Sequence, residues 1–121
     1  MKWEFRDDRP IYSQLVEQIQ RRIVSGSFPA GSKLPSVRDL ASEASVNPNT
    51  MQKAFAELER IGLVYSQRTS GRFITEDQTK IETIKDELAS EKIGEFFTQM
   101  KELGFSQQDT IRLISKTSKE E

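Results

Sequence analysis

Asn49, Thr50, Gln52 and Lys53 form a cluster of side chains that donate and accept hydrogen bonds, with no acidic residue among them. An amide side chain can pair bidentately with adenine N6 and N7, and a cation can take guanine or a phosphate, so the cluster has the chemistry of a major-groove reader. The cluster needs a helix to present it. Asn47 is a good N-cap and Pro48 suits the first helical position, while Met51, Ala54, Phe55, Leu58 and Ile61 recur at helical spacing on the opposite side. Gly62 closes this element. Upstream, Ser36 caps a shorter helix behind Pro35, with Val37, Leu40, Ala41 and Ala44 on one face and an end near Ser45. Two amphipathic helices joined by a tight polar turn have the layout of a helix-turn-helix. Arg38, just inside the first of them, can clamp a phosphate or take guanine O6 and N7, or pair with Asp39, Glu43 or another nearby acid as a surface ion pair.

The remaining elements frame that motif. Trp3 and Phe5 alternate with polar neighbours in a short extended start. Pro10 then opens a helix to about Ser25 with Ile11, Leu15, Ile19 and Ile23 as its stripe, widened by Tyr12, Val16 and Val24. Gly26 ends it. The connector GSFPAGSKLPS, with two Gly and two Pro, reads as too broken for regular structure. After Gly62 the period changes: Leu63 to Tyr65 and Arg72 to Thr75 flank a polar tip at Gln67 to Gly71, which predicts a hairpin. A hairpin directly after a recognition helix is a wing. Arg68 and Arg72 flank its Gly71, whose missing side chain lets the backbone approach a phosphate or a minor groove.

Residues 77–104 predict a long helix. Its first apolar set, Ile81, Ile84 and Leu88, and its second, Ala89, Ile93, Phe96, Phe97, Met100 and Leu103, centre about 90 to 120° apart at about 100° per residue. Either the helix bends or breaks near Ser90, or its halves pack on different things. Gly104 ends it, and Ser106 with Asp109 resembles a capping box. A last helix carries Ile111, Leu113 and Ile114 before a polar tail. Two helices with this much apolar surface cannot close a core alone, so a second copy of the same element is expected as their lid. The expected seam is Ile84, Leu88, Ile93, Phe96, Phe97, Met100, Leu103, Phe105, Ile111 and Ile114. The fold class is thus mainly α with a small β-hairpin. It divides into a winged helix-turn-helix domain over 1–75 and a C-terminal two-helix dimerisation element over 76–121.

Composition narrows the function. The chain of 121 residues contains no Cys and no His, which removes thiolate and imidazole nucleophiles and the usual zinc ligands. No metal, no cofactor and no enzymatic activity are expected, and a charged helix face explains Glu82, Glu87, Glu91 and Glu95 without a catalytic pair. The net charge of −1 is unevenly spread: residues 1–75 hold 11 Lys and Arg against 8 Asp and Glu, and the remainder holds 7 against 11. A basic front suits phosphate, although a solvated surface explains +3 nearly as well. No leader pattern or membrane-length apolar run is present, so a cytoplasmic location is expected, with no membrane partner.

These features together resemble the GntR family of bacterial winged-helix transcription regulators, and the short C-terminal appendage resembles its YtrA-type branch. The resemblance is carried by Pro10, Ile11, Tyr12 and Leu15, then Gly26, Pro29, Gly31, Leu34, Pro35, Ser36, Arg38 and Leu40. It continues through Ala41, Val46, Asn49, Thr50, Ala54, Leu58 and Gly62 to Gly71 and Phe73. It implies binding to double-stranded operator DNA by Arg38, by Asn47, Asn49, Thr50, Gln52 and Lys53, and by the wing at Arg68 and Gly71. Lys33, Ser36 and Arg72 complete the candidate set. The chain departs from the family pattern at Pro48, where a polar donor is common, at Thr69, which replaces a wing-tip Gly, and at Arg72, where Thr is frequent. With the expected dimer, whose two-fold symmetry places two recognition helices on half-sites, the reading is a homodimeric repressor on a palindromic operator, and the resemblance hints at a transporter operon as its class of target. It names no small-molecule effector, and about 45 residues leave little room for a cavity of a few hundred Å³ except between subunits. Two other readings compete: a protein-interaction module using the same front face, and an RNA-binding winged helix with Tyr65 and Phe73 as its exposed aromatics.

Overall fold

The computed structural model describes residues 2–120, so the ends of the two expected domains, Met1 and Glu121, lie outside the described residues. Three helices build the front of the chain: α1 (Ile11–Val24), α2 (Val37–Ala44) and α3 (Pro48–Arg60). Their starts follow the local chemistry. Pro10 precedes α1 with extended backbone and no side-chain cap, Ser36 Oγ accepts from Asp39 N at 3.1 Å, and Asn47 Oδ1 accepts from Asn49 N at 2.7 Å. The turn between α2 and α3 passes through Ser45 at φ 57°, a left-handed residue that ends α2 without glycine.

Both α1 and α2 pack on α3. Leu15 and Ile19 of α1, Leu40 and Ala41 of α2, and Met51, Phe55 and Leu58 of α3 share one core with Leu34, Leu63 and Ile74. Strands β1 (Val64–Gln67) and β2 (Gly71–Ile74) pair antiparallel, with Val64 opposite Ile74 and Ser66 opposite Arg72. The connector is more ordered than its Gly and Pro content predicts. Lys33 bridges to Phe73, Leu34 N donates to Arg72 O at 2.9 Å, and Ile74 N donates to Ser32 O at 2.8 Å. Once Pro29 and Gly31 have turned the chain, three residues are enough to pair along the free edge of β2.

The extended start is also held by a device absent from the apolar pattern. Gln14, Gln18 and Arg22 are buried polar residues at four-residue spacing on α1. The Gln14 amide donates to Arg6 O at 2.8 Å and accepts from Arg6 N at 2.7 Å, and Gln18 does the same with Glu4 at 2.6 and 3.3 Å. The Arg22 guanidinium lies 3.7 Å from the Trp3 ring centre and donates to Lys2 O at 3.0 Å. One helix face therefore supplies the bonds a neighbouring strand would otherwise give to residues 2–6. Gln14→Ala strands the Arg6 main-chain groups, and we expect a loss of about 1–3 kcal/mol, measurable as a lower urea midpoint with an unchanged slope.

The long helix α4 (Gln78–Glu102) is uninterrupted, without a break at Ser90. The chain divides into two compact units, Met1–Lys85 and Asp86–Glu121, so the first two turns of α4 belong to one unit and the rest of it to the other. The unit boundary falls later than the end of the hairpin because Ile81 is buried in the first unit's core and Ile84 packs against it. In the second unit, α5 (Gln107–Glu120) opens at a reciprocal capping box: Ser106 Oγ accepts from Asp109 N at 3.0 Å, and Ser106 N donates to Asp109 Oδ2 at 3.4 Å. The hydrogen bonds from Ser106, helped by the Arg112 charge, hold the Asp109 carboxyl below its ordinary range. The residues expected as a polar tail continue the helix to Glu120. No Gly or Pro stops it there, and Lys116 and Lys119 sit favourably near its C-terminal end.

Candidate nucleic-acid interface

The side chains singled out by type all belong to the first unit, on the connector, α2, α3 and the wing. Asn49, Gln52 and Lys53 are exposed on the opening turns of α3, and Thr50 is half-buried beside them. Helical periodicity turns Asn49, Gln52 and Lys53 away from Met51, Ala54, Phe55 and Leu58, which anchor α3 in the core, with Thr50 at the border between the two sides. A cleft of about 860 Å³ runs from α2 past α3 to the wing and is lined by Lys33, Ser36, Arg38, Gln52, Gly71 and Arg72 among others. Asn47, Asn49, Thr50, Lys53 and Arg68 lie outside its lining. Two candidates have part of their chemistry committed: Ser36 Oγ and Asn47 Oδ1 both accept the capping bonds of their helices.

Charge on these elements is sorted by pairing. Arg60 is held by Glu57 on the next turn, and Arg72 by Glu59, so the C-terminal half of α3 is neutralised. Arg38, Lys33, Lys53 and Arg68 have no ion-pair partner among the described residues. The surface ion pair open to Arg38 is therefore not formed. Glu43, one of the candidate partners, accepts instead from Trp3 Nε1 at 3.1 Å.

Gly71 sits at φ 107°, so the wing tip needs glycine for its backbone, and Lys33 Cε lies 3.0 Å from where a Cβ would stand. Lys33 thereby lies against the wing rather than on a separate loop. Arg72 has a different setting from the one its type suggested. Its Nε donates to Glu59 Oε1 at 2.6 Å and its guanidinium lies 5.3 Å from the Phe55 ring centre, so it belongs to the joint between wing and α3. Burial raises the Glu59 carboxyl pKa, and the bonds from Arg72 and Ser66 with the Arg72 charge outweigh it, leaving the group below its ordinary range.

Sequence pattern did not reveal the Glu59–Arg72 pair or the Gln14–Gln18–Arg22 row. A signal for the row existed, since polar residues at four-residue spacing flank an apolar stripe; the pair joins residues thirteen apart across a hairpin and has no local trace.

The expected seam residues divide by setting. Ile84 packs against the core of the first unit. In the second unit Leu103 is 72% exposed and Ile93 54%, with Phe96, Phe105, Ile111 and Ile114 also exposed. Leu88, Phe97 and Met100 are half-buried. Phe96, Met100, Leu113 and Ile114 line a groove of about 390 Å³.

A helix-turn-helix whose second helix exposes amides and an unpaired cation beside a two-stranded wing defines a winged-helix DNA-binding domain. The chain belongs to the GntR family of transcription regulators: residues 11–74 match the family described as bacterial regulatory proteins, gntR family. It is 41% identical over 111 residues to the uncharacterized HTH-type transcriptional regulator YhcF of Bacillus subtilis (strain 168), covering 92% of each chain. It is 39% identical over 89 residues to the HTH-type transcriptional repressor YtrA of the same organism, covering 69% of this chain and 68% of that one. A GntR family transcriptional regulator from Listeria monocytogenes shares the fold with a TM-score of 0.83 and 40% identity, over 93% of this chain and 98% of the other. The DNA-binding domain of AraR in complex with operator ORE1 aligns with 62% of this chain and 94% of its own, with a TM-score of 0.53 and 27% identity. The protein is thus a DNA-binding transcription regulator of a family of regulators rather than of enzymes. No helix among the described residues is long and apolar enough to cross a membrane.

Proposed function

We propose that the protein is a cytoplasmic repressor that binds a palindromic operator as a homodimer. Asn49 and Gln52 read base edges in the major groove, with Thr50 and Lys53 beside them, while Arg38, Lys33 and Arg68 hold phosphates and the Gly71 backbone approaches the duplex. Ser36 and Asn47 act chiefly by setting the starts of their helices. The observation that carries this reading is the exposure of Asn49, Gln52 and Lys53 on the opening turns of α3, with Gln52 lining the same cleft as Arg38. Repression is steric, through occupancy of a promoter, and the family resemblance supports a transporter operon as the regulated class. The exposed apolar side chains of the second unit support the homodimer, and a two-fold dimer presents two recognition helices to two half-sites. Any small-molecule effector would act between the subunits.

Fluorescence anisotropy on duplex DNA from the protein's own upstream region, against a shuffled duplex across a salt series, tests the reading. Asn49→Ala is expected to weaken native-duplex binding by about 10- to 100-fold while leaving the shuffled duplex little changed, because one bidentate base contact is lost. Arg38→Ala should weaken both and flatten the salt dependence. Equal binding of both duplexes by the wild-type protein would sink sequence readout. No binding to either at low salt would favour the protein-interaction module.

A further inference from the structure

The joint between the wing and α3 closes on one carboxylate oxygen. Glu59 Oε1 accepts from Arg72 Nε at 2.6 Å and from Ser66 Oγ at 2.8 Å. Ser66 and Arg72 are partners across the hairpin, so this oxygen holds both strands to α3. The Arg72 guanidinium is fixed further by the Phe55 ring beneath it, and its carbonyl accepts from Leu34 N at 2.9 Å. Yet Arg72 also lines the cleft it shares with Arg38 and Lys33. A cation in that cleft adds attraction to any phosphate, whatever the sequence, and such attraction raises specific and non-specific binding together.

We propose that Glu59 is a specificity-determining residue: it holds Arg72 against Phe55, withholding that cation from the DNA backbone while fixing the wing to the recognition helix. Sequence-blind attraction then comes from Arg38, Lys33, Lys53 and Arg68, and the wing meets the duplex in one position. Loss of the Glu59 carboxylate has two consequences of opposite sign. Arg72 swings free to reach phosphate, so binding to any duplex tightens and becomes more salt-sensitive; the loosened wing reduces discrimination between native and shuffled DNA. A residue with only a structural role would weaken binding without steepening its salt dependence. The inference rests on the DNA-binding reading above.

The test compares wild type, Glu59→Ala, Arg72→Ala and the double variant by anisotropy on shuffled and native upstream duplexes across a salt series. Glu59→Ala is expected to steepen the logarithmic salt slope on the shuffled duplex by about 0.9 per newly contacted phosphate in each subunit, and to lower the native-to-shuffled affinity ratio. Arg72→Ala alone should keep the wild-type slope, and the double variant should return to it. A shallower slope in Arg72→Ala would place Arg72 on phosphate already and overturn the proposal, as would an unchanged slope in Glu59→Ala. If Glu59→Ala does not fold, Glu59→Gln keeps the size and an acceptor oxygen but removes the charge. It should steepen the slope in the same direction by less, and an unchanged slope there overturns the proposal equally. Normal discrimination by the wild type with no slope change in the variants sinks this proposal alone; absence of any DNA binding sinks the DNA reading and takes this one with it.

Discussion

Phe55→Ala is expected to destabilise the first unit by about 3–5 kcal/mol, the range for truncating a large buried aromatic to a methyl group. The ring is fully buried, and it sits on α3, the helix against which both α1 and α2 pack. Little can collapse into the space it leaves. Leu15, Ile19, Leu40 and Leu58, which share its core, are themselves fully or almost fully buried and belong to three different helices, so filling the cavity means moving backbone. Arg72 would lose the surface beneath its guanidinium as well. A domain of this size has a total stability of roughly 5–15 kcal/mol, so the variant would stand close to unfolding. Thermal unfolding followed by circular dichroism should show a fall in midpoint on the order of 10–40 °C. Phe55→Leu, which keeps most of the volume, should lose about a third of that or less. A loss under about 1 kcal/mol for the alanine variant would mean that the core around α3 relaxes freely, contrary to the packing described.

The parts of the fold with local causes were legible in the sequence. Ser36 and Asn47 announce helix starts because a side-chain oxygen two or three residues ahead of an orphan N–H is a sequence-local arrangement, and both bonds form. Met51, Ala54, Phe55 and Leu58 announce the buried side of α3 because a helix repeats every 3.6 residues, and that fixes which side Asn49 and Gln52 must occupy. What stayed hidden was pairing at a distance. Ser32 to Leu34 join the edge of β2 some forty residues on, and nothing in Gly-Ser-Lys-Leu-Pro distinguishes a paired segment from a free one. Arg72 was legible as a cation and not as the partner of Glu59, since ion pairs are chosen by tertiary geometry. The same limit applies to α4. Its two displaced apolar sets left a bend and two different surroundings equally open, and only the structure shows Ile81 in the first unit's core with Ile84 packed against it.

Ile114→Glu combined with Phe96→Glu is expected to convert the proposed dimer to a monomer and to weaken binding to a palindromic operator by about 10²- to 10⁴-fold. Both residues line the same groove of the second unit, in which Leu103 and Ile93 are more than half exposed and Ile111 is exposed as well. Apolar surface of this extent on so small a unit gains most by meeting a second copy, since the copies offer identical surfaces to each other about a two-fold axis. A carboxylate placed in that seam must give up its hydration without a cation to meet it, and it does so twice in each copy. The DNA-facing side chains are untouched, which separates the two effects. On a duplex carrying one half-site, variant and wild type should bind alike, because each such complex uses one recognition helix. On the full palindrome the wild type gains from the second half-site already held at high local concentration, and the variant does not. Sedimentation velocity reads the assembly state and anisotropy on the two duplexes reads the affinities. A wild type that sediments as a monomer at micromolar concentration would remove the dimer, and a monomeric variant that keeps full affinity for the palindrome would show that the half-sites are read independently.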